Sequence, residues 1–367
     1  NTANTANTAN TANTANTANT ANTANTANIA TLKYFTRQEE KIIASSSLLE
    51  LPFSSVAFGV GTSASNLNGN GIRTVILEAL RSGVRHFDLA EMYGNHLEIG
   101  KLFHELWGGG KPKVEGDVVP DIPPRNEIFI TSKIWTTNMN PIHVHQTLLH
   151  TLKELQLEYL DAWLIHWPVP MIHTTIENPS KGRSWPQNNQ GQAVFAKGYS
   201  ICDTWLSMEK EHEIGLVKHL GVSNFSPSLL HMLLGCLDQV HPIINQVEVH
   251  PYNPQQALFR FCQNNNITMQ AYSPLAGGGS IGEYNLFQER SIVEASENHR
   301  VSPAEILFAW SLQRGIPFVS STKRIERIKP MLASKNIPLT KDEMKRINDI
   351  SFRHRFGVPD QFKFLFL

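Results

Sequence analysis

Between residues 54 and 332 the chain repeats one pattern eight times: a short apolar run, then a segment of helical period. The runs, four to seven residues long, are Val56–Val60, Val84–Asp88, Glu127–Ser132, Tyr159–Ile165, Val217–Val222, Ile243–Val247, Ile267–Tyr272 and Ile316–Val319. The helical segments are Arg73–Ser82, Asn95–Leu106, Pro141–Leu155, Ile201–Ile214, Pro227–Leu237, Gln255–Asn264, Leu286–Asn298 with a second beginning at Ser302, and Ile325–Leu332. Gly83 supplies a helix stop, and Ser302-Pro303-Ala304-Glu305 is a capping box with proline at the first helical position. Strands this apolar are buried on both faces, which implies a parallel sheet covered by helices. Eight units over about 280 residues fit a closed (β/α)₈ barrel, of the TIM type, with long loops at its C-terminal face. No Gly-x-Gly-x-x-Gly turn follows the first strand, which counts against a doubly wound dinucleotide-binding sheet.

Two connections are longer than a barrel needs. Gly108–Arg125 carries three consecutive glycines and four prolines and reads as an insertion. Pro168–Tyr199 is polar and follows a strand C-terminus, so it is expected to wall a pocket. Residues 1–28 are nine copies of Asn-Thr-Ala and a further Asn. Without charge or large apolar groups, that tract cannot offset its ordering entropy. Residues 1–45 are therefore expected to be a disordered tract and linker, and residues 46–367 the barrel domain.

The 32 basic and 32 acidic side chains cancel, leaving no electrostatic reason to expect nucleic acid or an anionic membrane as partner. No apolar run approaches the roughly 20 residues that span a bilayer. Cys202, Cys236 and Cys262 are odd in number, widely spaced and in no metal-like cluster. They read as reduced thiols of an intracellular protein. Two Asn-x-Ser/Thr matches, at Asn224 and Asn266, are read as chance.

Three strand ends place four ionisable groups on one barrel face. Asp88 closes the second strand and Tyr93 follows it in a polar loop. Lys133 ends the third strand, and His166 ends the fourth. A lysine on an apolar strand end is costly to bury unless paired, and Asp88 is the obvious partner. A cationic Lys133 near Tyr93 would favour the phenolate and lower the phenol's pKa toward neutrality. Tyr93 could then donate a proton to a carbonyl oxygen, with His166 polarising or orienting that carbonyl. Asp88 is read as the group that holds Lys133.

The stretches RHFDLAEMYGN, FITSKIW, LIHWP, GVSNF, NQVEVHPY and AYSPL occur here in one order. From about Ser54 onward the chain thereby resembles the aldo-keto reductase superfamily. The resemblance implies that Asp88, Tyr93, Lys133 and His166 form a catalytic tetrad with Tyr93 as general acid. It implies NADPH as cofactor, with NADH possible, a small carbonyl compound as substrate, no metal, a monomer and a cytoplasmic location. It places Ser223, Asn224 and Gln246 at the carboxamide, and Tyr272 stacked on the nicotinamide ring. Neutral donors and acceptors suit an amide, and an aromatic face suits ring orientation. Ser223-Asn224 also reads as a helix N-cap before Pro227, and Gln246 could equally bond neighbouring backbone.

The resemblance further sets Thr62 near the ribose, and Ser273 and Leu275 along the pyrophosphate, with Gly277–Ser280 as a flexible strap. Trp135 and Trp167 become pocket walls, and Ser351–Leu367, with five Phe, a mobile specificity loop. The family's Lys-Ser pair after the eighth strand is here Ser321-Thr322, while Arg327 keeps the arginine position. Thr322, Lys323 and Arg327 are expected at a 2′-phosphate, which favours NADPH. Ser63 stands where the family often has Trp. A cofactor-binding barrel with little turnover is the reading from another class, and the Asn-Thr-Ala tract as a surface-binding element is a third.

Overall fold

The computed structural model describes residues 51–61, 69–108, 122–173, 186–278, 280–282, 284–359 and 362. The Asn-Thr-Ala tract, the boundary at residue 46, most of the Gly108–Arg125 insertion, Thr62 and Ser63 lie outside the described residues.

Strands β1 (Val56–Gly59), β2 (His86–Asp88), β3 (Phe129–Ile134), β4 (Leu160–Ile165), β5 (Val217–Ser223), β6 (Ile244–Glu248) and β7 (Thr268–Tyr272) pair in sequence order. A hairpin, β8 (Ser280–Ile281) with β9 (Tyr284–Asn285), follows, and β10 (Phe318–Ser320) returns between β7 and β1 to close the barrel. All eight barrel ladders are parallel. The register sets Gly59 beside Asp88, Asp88 beside Thr131 and Ser223 beside Gln246, so the strand ends bearing polar groups lie level. The (β/α)₈ barrel read from periodicity is the observed fold. The strap region carries the β8–β9 hairpin, which the sequence did not signal.

The helices that wrap the barrel are α1 (Gly69–Arg81), α2 (His96–Trp107), α3 (Pro141–Leu155), α4 (Ile201–Glu213), α5 (Pro227–Leu234), α6 (Gln256–Asn264), α7 (Arg290–His299), α8 (Pro303–Gln313) and α9 (Ile328–Ala333). Their starts are chemically specified. Ser302 and Glu305 form the expected capping box on α8, and Ser200 with Asp203 forms another on α4. Ser226, not Ser223 or Asn224, caps α5 by accepting from the Leu229 amide, which frees the latter two for the barrel mouth. A further helix, α10 (Lys341–Asn348), has its own Thr340–Glu343 capping box and was not read from the sequence.

The core between strands and helices is continuous, from Val56 and Phe58 on β1 to Phe318 on β10. A second apolar cluster stands apart from it and joins Trp135, Trp167, Val169, Met171 and Phe362.

The cysteine reading is corrected here. Cys202, in the first turn of α4, is disulfide-bonded to Cys236, just beyond α5, across a Cα–Cα distance of 5.9 Å. They are 34 residues apart in sequence, the segment between them includes all of β5, and a strand and its return helix bring the two ends together. Sequence spacing alone could not show this. Cys262 remains a buried thiol, pushed up to about 12 by burial.

A 34-residue closed loop restricts the unfolded chain, so removing the bridge in a Cys202→Ser/Cys236→Ser variant is expected to cost about 2–4 kcal/mol. Urea unfolding measures that cost. Thiol titration of the parent in denaturant without reductant should find Cys262 alone, and three reactive thiols would refute the bond.

Candidate active site

The centre of the barrel mouth is a buried ion pair. Lys133 Nζ donates to Asp88 Oδ1 at 2.6 Å and to the Leu89 carbonyl at 2.9 Å, and both side chains are buried. Burial alone would lower the Lys133 pKa, but Asp88 and Tyr93 beside it outweigh that and hold the ammonium above its ordinary range. The second Asp88 oxygen, Oδ2, accepts from Gln246 Nε2 at 2.7 Å. Lys133 is therefore paired as expected, and the same carboxylate ties it to β6.

Tyr93 ends a short 3₁₀ turn, Glu91–Tyr93, which Gly94 closes with φ of 65°. Its ring lies 5.3 Å from Lys133 Nζ, and its centroid is 5.9 Å from that of His166 at a near-perpendicular angle. The ring rests on bare backbone: a Cβ at Gly61 would sit 3.3 Å from two of its atoms. Burial raises the Tyr93 pKa and outweighs the opposing pull of Lys133, while Asp88 adds to the rise. The expected drop toward neutrality is thus overturned, because desolvating a phenolate costs more here than one ammonium returns. His166 is shifted the other way, well below its ordinary value, by burial and by Lys133. At neutral pH the pair is a protonated phenol facing a neutral imidazole.

The amide-bearing residues form a second set beside the first. Ser223 Oγ donates to the Gln246 carbonyl at 2.7 Å, and Gln246 Nε2 also donates to Gln270 Oε1 at 2.8 Å. Gln246 bonds side chains rather than neighbouring backbone. Asn224, at φ of 66°, donates from Nδ2 to the His166 carbonyl at 3.0 Å and to Ser223 Oγ at 3.2 Å. Its Oδ1 accepts from the Tyr272 hydroxyl at 2.8 Å and from Arg355 Nη2 at 3.2 Å. Ser223, Asn224, Gln246 and Tyr272 are thus joined in one hydrogen-bonded chain of neutral groups, a set of donors and acceptors that suits an amide.

Ser273 follows at φ of 46° and opens the turn to Ala276, while Leu275 packs partly into the core. Across β10, Thr322 accepts from the Arg324 amide at 3.0 Å. Lys323 and Arg327 are exposed there, with Arg327 ending the 3₁₀ turn before α9. Trp135 lies 5.1 Å from the His166 ring, edge to face, and Trp167 packs on Phe362 at 5.2 Å. The two indoles therefore belong to one apolar wall beside His166.

Two contributors were not legible. Arg355 comes from the tail, where Glu248 accepts the Phe356 and Gly357 amides at 2.6 Å each and docks the segment. Glu91 is buried two residues before Tyr93 and receives Trp135 N at 2.9 Å and Asn138 Nδ2. Burial pushes it up to about 7 against those two donors. A carboxylate inside FDLAEMY was the one available hint.

The fold and this site define a class: a parallel eight-stranded barrel with a buried Asp–Lys pair beneath a tyrosine and a histidine. The aldo/keto reductase family model matches residues 57–351, and the chain belongs to that family. It is 33% identical over 321 residues to aldo-keto reductase family 1 member A1 of Cricetulus griseus, covering 86% of this chain and 93% of that one. It is 35% identical over 285 residues to aldose reductase B of Dictyostelium discoideum, covering 77% and 85%. Aldose reductase from Giardia lamblia has a similar structure, with a TM-score of 0.72 at 29% identity over 84% of this chain and 96% of that one. Membership makes the protein an oxidoreductase of small carbonyl compounds that works with a nicotinamide nucleotide. Among the described residues no helix is long and apolar enough to cross a membrane.

Replacing Lys133 by Met should leave Asp88 buried beside an apolar stem, at a cost of about 3–5 kcal/mol in urea unfolding. Adding Asp88→Asn to that variant should recover part of the loss. A Lys133→Met protein within about 1 kcal/mol of the parent would show that the pair does not hold the barrel mouth.

Proposed function

We propose that the protein reduces an aldehyde or ketone to the alcohol with NADPH, and that Tyr93 is the general acid. The observation that carries this reading is the phenol's position, with Lys133 Nζ 5.3 Å from its ring and His166 5.9 Å from it. When bound, the reduced nicotinamide supplies the hydride to the carbonyl carbon. Tyr93 holds the proton that the carbonyl oxygen takes up, and the upward shift of its pKa keeps that proton in place before transfer. Lys133 lowers the cost of the phenolate left behind, and Asp88 keeps the ammonium in position. Neutral His166 orients the carbonyl by a ring nitrogen without competing as an acid. Ser223, Asn224 and Gln246 would hold the carboxamide, Tyr272 the ring face, and Thr62, Ser273 and Leu275 the ribose and pyrophosphate. Thr322, Lys323 and Arg327 would meet a 2′-phosphate, with Trp135 and Trp167 walling the substrate.

Tyr93→Phe deletes the proton donor alone. Its kcat on 4-nitrobenzaldehyde, followed by NADPH oxidation, should fall by about 10²–10⁴-fold while NADPH affinity stays at the parent value. Parent turnover in that variant would end the reading. The nucleotide preference has its own check. Arg327→Ala should weaken NADPH binding by about tenfold, measured by fluorescence quenching, and leave NADH binding unchanged. Equal losses for both nucleotides would remove the 2′-phosphate assignment.

A further inference from the structure

The turn that presents Tyr93 is too short to hold itself. Its first residue follows Ala90, which provides no side-chain cap, and Gly94 leaves it in the left-handed region. Two side chains secure it from outside. Asn95 donates to the Val60 carbonyl at 2.8 Å and ties the exit of the turn to the end of β1. Glu91, at the entrance, reaches the other way and takes both Trp135 N and Asn138 Nδ2 from the segment that follows β3. That segment begins two residues beyond Lys133.

We propose that Glu91 is a positioning residue that fixes the Tyr93 turn and the Trp135 wall against the end of β3. The inference rests on the reading of Tyr93 as general acid. Glu91 is an expensive choice for mere filling. Its carboxyl group is buried, and no cation pairs with it among the described residues. The charged group that bears on it is Glu154 of α3, itself faced by His96 and His150, and Glu154 disfavours the ionised form further. Lys133, at the end of β3, is committed to Asp88 and the Leu89 carbonyl. An apolar side chain would be cheaper to bury. What it could not do is accept a backbone amide and a side-chain amide together. Through Trp135 the grip extends to His166, whose ring meets the indole edge to face at 5.1 Å. One carboxyl group therefore sets the spacing between the phenol, the imidazole and the pocket wall.

Glutamine offers a specific rescue. Its amide oxygen can keep the Trp135 amide, and its NH₂ would face Asn138, whose Oδ1 has no hydrogen-bond partner. Rotation of the Asn138 amide re-pairs both groups. Glu91→Ala should lower kcat for 4-nitrobenzaldehyde by about 10²-fold with NADPH affinity unchanged, since displacement by about 1 Å costs that much. Glu91→Gln should recover to within about tenfold of the parent. Glu91→Ala/Asn138→Ala should be no slower than Glu91→Ala, because both changes delete one contact. Should Glu91→Ala fail to fold, Asn138→Ala decides by the same split: a loss in kcat at unchanged NADPH affinity supports the role. Parent kcat in Glu91→Ala, or in that substitute, overturns it, as does a Glu91→Gln variant no faster than Glu91→Ala. Tyr93→Phe measured alongside separates the two ideas. Parent turnover there removes the general acid, whereas an inactive Tyr93→Phe beside a fully active Glu91→Ala removes only the positioning role.

Discussion

The barrel mouth depends on one carboxylate. Asp88 gives one oxygen to Lys133 and the other to Gln246, and so joins β2 to β3 and to the far side of the barrel at β6. Taking two charges out of water costs several kcal/mol for each ion, and the cost is offset only where the remaining lone pairs and protons are also bonded. Two further bonds help here: the ammonium donates to the Leu89 carbonyl, and Gln246 donates its second N–H to Gln270 Oε1. Level strand ends make this possible. A slip of one residue in β3 would turn Lys133 out of the barrel and leave Asp88 uncompensated.

That pair also sets the two groups above it, in opposite directions for one reason. Burial penalises the charged form of each, so the phenol holds its proton more tightly and the imidazole holds a second one less. The Lys133 ammonium opposes the first trend and reinforces the second. Lys133 is thus more than a device for lowering the phenol's pKa, the role that sequence proximity suggested. In a desolvated site it keeps the phenolate attainable while the phenol remains the resting form.

What was legible follows from what leaves a periodic or local mark. The strands, most of the helices and the four strand-end groups were readable because apolar runs, capping boxes and strand ends are local signals. Pro141–Leu155 was predicted to the residue, since Asn140 and Pro141 specify its start and an apolar face its length. The contacts that were missed are long-range. Glu91 meets Trp135 across 44 residues and Arg355 meets Asn224 across 131, each through an atom that any strand or tail of similar composition would carry. The Cys202–Cys236 bond failed to register for the same reason, since two thiols 34 residues apart have no spacing signature until the helices that bear them are docked. Glu343, which no reading of the sequence singled out, closes the α10 capping box and also meets His299 of α7.

The tail shows how a region that reads as a mobile loop becomes part of the fixed site. Glu248 is buried at the end of β6. Burial would raise its pKa, yet His250 and the amides of Phe356 and Gly357 hold it below the usual carboxylate range. Gly357 is required by space: a Cβ there would come within 2.7 Å of Glu248 Oε2 and 3.1 Å of the Tyr272 ring. The backbone can approach Tyr272 only because that side chain is absent, and Arg355 then reaches Asn224 from the same docked segment. Further along, Phe362 packs on Trp167 in the apolar wall. The amide cluster and the pocket wall are therefore supported by one stretch of chain, so a change in how it docks on Glu248 is felt at both.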